Sequence, residues 1–314
     1  MASDVEAPAL ESLSDRRFAI ASALGTSALA FLVFGPILYY MVIHWRDDAN
    51  YSHGFIIAPL ALYFAWERRG RLRRTPIEPS WWGVLPLALG ALSLLVGRLG
   101  VELMSMRVGF VLTLIGLNLL LLGVPVFRVL AFPFLLLFLM VPLPQSLVNV
   151  VAFPLQLIAA DMAVSILQLF GNPVLREGNI IHLPSGPLFV DQACSGLRSL
   201  MALGTLGVVF AYFFRKTWYE RAILVVSTLP IAVAVNGFRV WLTSWLTLNF
   251  GHDMASGVVH TTEGFFTFGL AFALLLLEAR LLAFLFRAKR DAEPPAPPAP
   301  PAPTLPAPGG GTAE

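Results

Sequence analysis

Eight apolar runs follow one another along this chain, near residues 18–43, 52–66, 81–97, 108–124, 126–143, 194–214, 222–243 and 258–286. A helix needs about 20 mostly apolar residues to cross a bilayer. A soluble chain has no interior large enough to hide so many such runs. Composition agrees: 57% of the 314 residues are apolar and 13% are charged, against about 25% charged in an average soluble domain. The single cysteine, Cys194, excludes a disulfide scaffold. The expected fold is therefore an all-α, polytopic integral membrane helix bundle of about eight transmembrane helices, occupying residues 18–290. Residues 1–17 read as a polar N-terminal segment, too acidic and too far from an apolar run for a signal peptide. Residues 291–314 read as a disordered or polyproline-like tail rich in Pro and Ala.

Lys and Arg set the expected orientation, because cytoplasmic loops carry the excess. One set of loops holds Arg16, Arg17, Arg68, Arg69, Arg71, Arg73, Arg74, Arg128, Arg215, Lys216, Arg221, Arg287, Lys289 and Arg290. The other set holds Arg46, Arg98, Arg107 and Arg176, while Arg198, Arg239 and Arg280 fall inside runs. This alternation suits eight crossings with both termini cytoplasmic. The segment 146–170 is apolar enough to cross but carries Asn149, Pro154, Gln156, Asp161 and Gln168. A crossing there would turn the Arg215–Arg221 loop outward, so the segment is expected to lie at the outer interface or to re-enter. Residues 171–193 form the longest outer loop. Its runs Asn179–Pro184 and Leu188–Val190, parted by Pro-Ser-Gly-Pro, predict a short hairpin before Cys194.

Ionisable groups inside a span are costly and point to function. Cys194 stands where the outer loop enters a helix. Arg239 follows Arg221 by eighteen residues, about 27 Å of helix, so it lies near the outer surface. His260 begins the last helix at the same face. Asp191 is expected as the N-cap, which puts Cys194 in the first turn, where the helix terminus favours the thiolate and backbone N–H groups can receive an oxyanion. Arg198 lies one turn beyond Cys194, Asn236 one turn before Arg239, and Glu263 one turn after His260. Each residue also has a plain structural reading. A lone cysteine packs as a small hydrophobe, an arginine snorkels to the interface, and a histidine at a helix start bonds to backbone. All five histidines (His44, His53, His182, His252 and His260) map to the outer side, but they lack a ligand-spaced pair, so no metal and no cofactor is expected.

At these positions the chain resembles the exosortase/archaeosortase family of membrane sorting enzymes. The resemblance rests on Asp191-Gln192-Ala193-Cys194-Ser195-Gly196-Leu197-Arg198-Ser199, on Asn236-Gly237-Phe238-Arg239, and on His260 with Gly264 downstream. Tyr51-Ser52-His53-Gly54-Phe55, Val141-Pro142-Leu143-Pro144 and Gly178-Asn179-Ile180 add to it. It covers about residues 30–286; many members carry Glu where Asp191 stands. It implies a cysteine protease or transpeptidase of the bacterial inner membrane, multi-pass, with its active site facing the periplasm. Catalysis would rest on Cys194, Arg239 and His260, supported by Asp191, Arg198, Asn236 and Glu263. The implied partners are exported proteins whose C-terminal sorting signal combines a Pro-Glu-Pro-type motif, a transmembrane helix and a basic end. Beyond those substrates and the lipid bilayer, no nucleic acid partner is expected. In bacteria the family is associated with exopolysaccharide production. A non-catalytic factor for exopolysaccharide assembly and an anion transporter guided by Arg198 and Arg239 are the rival readings. A transporter would scatter polar residues through the bilayer midplane.

Overall fold

The computed structural model describes residues 13–190, 196–214, 217–251 and 257–291. Most of the N-terminal segment and nearly all of the Pro/Ala-rich tail lie outside the described residues. The helices run in the order α1 (Leu13–Val33), α2 (Gly35–Asp47), α3 (Gly54–Glu67), α4 (Arg69–Arg74), α5 (Val84–Leu99), α6 (Leu103–Leu121), α7 (Gly123–Leu139), α8 (Gln145–Leu169), α9 (Leu197–Phe214), α10 (Trp218–Phe250) and α11 (Gly257–Asp291). Six of them, counting α5 with the 3-10 turn Trp81–Gly83 before it, are long and apolar enough to cross a membrane. α3, α7 and α9 are shorter apolar helices. The chain is an all-α, multi-pass membrane bundle, as its apolar runs require.

Three local expectations are refined. The run 18–43 is two helices, parted at Phe34. Pro36 sits in the first turn of α2, where its missing N–H costs nothing. The bonds Phe34 N to Ala30 O and Leu38 N to Phe34 O, both 2.9 Å, carry the helical path across the break. Arg107 lies inside α6 and not in a loop, and is only 3% exposed. Its helix is capped by Glu102, whose carboxylate accepts from the N–H groups of Met104 (2.8 Å) and Ser105 (2.6 Å). Segment 146–170 is one continuous 25-residue helix, α8, so no re-entrant break occurs in it. Its buried residues Val148 and Ala152 join Trp45, Tyr51 and Met140. Its second half packs under a small sheet and against Val240 of α10.

That sheet is a three-stranded antiparallel meander: β1 (Leu175–Glu177), β2 (Ile180–Leu183) and β3 (Gly186–Phe189). The expected hairpin is β2–β3, with Ile181 opposite Leu188. β1 adds an edge, joined by a two-residue turn in which Gly178 adopts φ +61, a left-handed value that suits glycine. Alternation puts Ile181 and Leu183 inward and His182 outward. An ion pair of 3.2 Å between Arg176 on β1 and Asp161 on α8 ties the sheet to the helix below.

α5 and α6 pack closely through glycines. Methyl groups added at Gly90 and Gly97 would fall 2.6 Å from Thr113 Oγ1 and 2.5 Å from Met106 Cγ. One added at Gly116 would fall 2.6 Å from the Leu87 nitrogen. Lipid tails are as apolar as leucine, so such close backbone contact, and not water exclusion, holds membrane helices together.

The arginines collect as their spacing suggests. Arg16 on α1 donates to the carbonyls of Leu72 (2.7 Å) and Thr75 (3.0 Å) at the end of α4. Arg68 and Arg71 meet Tyr212, Phe213 and Arg221 around one cavity. α9 runs from the end that follows the sheet to this basic face.

Candidate active site

α10 and α11 pack antiparallel, and their polar residues meet in order. Ser227 donates to Glu278 at 2.5 Å. Further along, Arg239 lies against Gly264, where an added methyl would stand 3.8 Å from Nη2. One turn beyond Arg239, the Thr243 hydroxyl is 2.7 Å from Glu263 Oε2 and 3.0 Å from the Arg239 carbonyl. Its one proton reaches one of these acceptors at a time. Glu263 is 5% exposed, and its other oxygen, Oε1, has no hydrogen-bond partner among the described residues.

The run Asn236–Arg239 turns each side chain to a different neighbour, since successive residues of a helix point about 100° apart. Asn236, 5% exposed, touches Gly196 at the start of α9. Gly237 faces Met162 of α8; an added methyl would come 2.7 Å from its sulfur. Phe238 rests on Trp241, with ring centroids 5.3 Å apart. Arg239 reaches α11. One stretch of α10 thus holds α8, α9 and α11 in place.

Gly196 has φ +74, and its carbonyl accepts from Leu200 N at 2.9 Å. Gly196 thus stands directly before α9, while the expected cap at Asp191 falls outside the described residues. Cys194 lies outside them too. Arg198, second residue of α9, is exposed. His260 is in the first turns of α11, one turn before Glu263 and Gly264; its side chain is outside the described residues, as is His252.

Two upstream stretches meet beside this site. Trp45 Nε1 donates to Met140 O (2.9 Å), Tyr51 Oη to Leu143 O (3.4 Å), and His53 Nε2 lies 3.2 Å from Leu139 O. Tyr51–Phe55 is thereby fastened to the end of α7 and to Val141–Pro144. Burial holds the His53 imidazole below its ordinary pKa, against the backbone carbonyls of Leu139 and Asn50 that favour the cation. Leu197 is buried in the same apolar cluster as Tyr51, Met140 and Val141, which joins this corner to the start of α9. His44 lies 3.8 Å from Asp48, and exposed His182 lies 3.2 Å from Glu177 on the sheet. Among the described residues no three His, Cys, Asp or Glu side chains converge as metal ligands would.

Sequence reading missed Thr243, Ser227 and Glu278. Their one signal was spacing, a hydroxyl one turn from Arg239 and a carboxylate deep in the last apolar run. Glu278 also shows that polar groups are not confined to one membrane face.

This arrangement defines a multi-pass helical membrane protein in which the starts of α9 and α11 meet polar residues in the second half of α10. The chain belongs to the transmembrane exosortase family (Exosortase_EpsH), whose family model matches residues 45–277. No curated protein and no solved structure matches it. Membership supports a membrane transpeptidase or protease role, exercised on protein substrates within the bilayer.

Proposed function

We propose that the chain is a cysteine transpeptidase or protease that cleaves C-terminal sorting signals of exported proteins, with Cys194 as nucleophile. The observation that carries this reading is the double role of Asn236–Arg239. Asn236 abuts Gly196, two residues after Cys194, while Arg239 abuts α11 one turn from His260. A thiol, a guanidinium and an imidazole are what acyl transfer needs.

The Cys194 thiolate attacks the scissile carbonyl, and Arg239 stabilises the oxyanion through its fork of donors. His260 protonates the leaving amine as the C–N bond breaks, which leaves a thioester. Water or an acceptor amine then attacks the thioester, giving its proton to His260, and the C–S bond breaks to release the Cys194 thiolate. Glu263, one turn from His260 and with its Oε1 unpartnered among the described residues, serves as the orienting acceptor of the imidazole. In this reading the sheet face is periplasmic, the basic face cytoplasmic, and the membrane the bacterial inner membrane.

The test is co-expression with a candidate substrate tagged at its C-terminus. Wild type should remove the tag and Cys194→Ala should not. Equal processing by both would overturn the proposal in favour of a non-catalytic factor.

A further inference from the structure

We propose that the basic face holds a binding pocket for a phosphoryl anion, distinct from the peptidase site. A cavity of about 450 Å³ lies where the ends of α3 and α9 meet the start of α10, lined by Glu67, Arg68, Arg71, Tyr212, Phe213 and Arg221. Three guanidinium groups there face one carboxylate.

Arg68 is built in, not trailing in water. It is 8% exposed, and Nη1 donates to Phe64 O at 2.9 Å. Its guanidinium lies 4.8 Å from the Tyr212 ring centroid and 5.8 Å from those of Phe64 and Phe132. No carboxylate pairs with it among the described residues. Arg221 lies 5.4 Å from the same Tyr212 ring, so one aromatic side chain serves two cations. Cation–π contact lowers the cost of placing each charge there. An anion entering the cavity gives buried Arg68 a negative partner and gains charge-assisted bonds from planar forks matched to phosphate oxygens. The cavity has room for a phospholipid headgroup or a hydrated phosphate, and Tyr212 and Phe213 line it beside the arginines. Two sources share this chemistry, an anionic phospholipid headgroup and free phosphate.

The test uses the purified full chain in neutral detergent, titrated with short-chain phosphatidylglycerol, short-chain phosphatidylcholine or inorganic phosphate. Thermal unfolding is followed by tryptophan fluorescence. Phosphatidylglycerol or phosphate should raise the wild-type midpoint saturably. Arg71→Gln and Arg221→Gln should each weaken the half-saturating concentration by about tenfold, the loss of one charge-assisted contact. Arg73→Gln and Arg74→Gln, which remove the same charge from α4 outside the cavity, should leave it unchanged. A response to phosphatidylglycerol alone assigns the site to lipid; saturation by phosphate that competes with the lipid assigns it to the free ion. An absent response to both, or equal weakening by all four substitutions, overturns the proposal.

Discussion

Gly196 and Asn236 are in such close contact that a methyl group on the glycine would stand 2.6 Å from Asn236 Cγ. Gly196 also has φ +74, which costs a residue with a side chain about 1–2 kcal/mol. Gly196→Ala should therefore lower both the unfolding midpoint and processing. Adding Asn236→Ala should recover little of the stability, because the Cβ it keeps stands 2.7 Å from that methyl and the backbone strain remains. Thermal unfolding of the single and double variants in detergent checks this.

Arg239 and Gly264 make a graded pair. An alanine at 264 meets the guanidinium at ordinary van der Waals distance, so Gly264→Ala should be tolerated. Gly264→Leu occupies the guanidinium's place and should reduce processing as Arg239→Ala does. Arg239→Lys keeps the charge without the fork and should also be poor. Full activity of Gly264→Leu would show that the guanidinium is not needed where it stands.

Thr243→Val removes the hydroxyl that donates to buried Glu263. A buried acceptor left without its donor costs about 1–3 kcal/mol. The variant should unfold at a lower temperature, and Thr243→Ser should match wild type. Urea or thermal titration of the three proteins decides it.

His260→Ala should lose proton transfer, typically 10²–10⁴-fold in rate, or about 3–5.5 kcal/mol of barrier. It should still bind the signal, so uncleaved substrate should co-purify with it. Wild-type processing by this variant would reduce His260 to a helix-start residue.

His53 predicts a pH dependence. Its pKa in the folded state is lowered from 6.5, chiefly by burial. The unfolded chain thus takes up this proton at higher pH than the folded one. Stability from the neutral imidazole is complete above about pH 6.5 and is lost as pH falls through the lower folded value. Unfolding midpoints between about pH 7.5 and 5 should decline in wild type and flatten in His53→Gln.

Hydropathy and arginine placement made most helices legible, because both are written residue by residue. The break at Phe34 was legible in Gly35-Pro36 but is masked by unbroken hydropathy on either side. Which residues of α10 face which helix was not legible. That depends on pairing between segments far apart in the chain, as with Gly237 against Met162 or Thr243 against Glu263. The part played by Gly196 was not legible either, since its φ of +74 and its closeness to Asn236 depend on how α9 meets α10. Arg107 was read as a loop residue because hydropathy alone starts α6 after it, although Glu102 caps the helix before it.

The glycines between α5 and α6 also bear on how this protein can change over time. No residue is smaller than glycine, so every single-codon change at Gly90, Gly97 or Gly116 enlarges the contact. The lipid-facing neighbours Leu85, Leu89 and Leu92 are exposed and free to exchange among apolar residues. In a complete map of tolerated substitutions, α5 should show near-empty columns at Gly90 and Gly97 within permissive ones. A lineage that lost one of these glycines would regain the fit only through a second change on the facing helix.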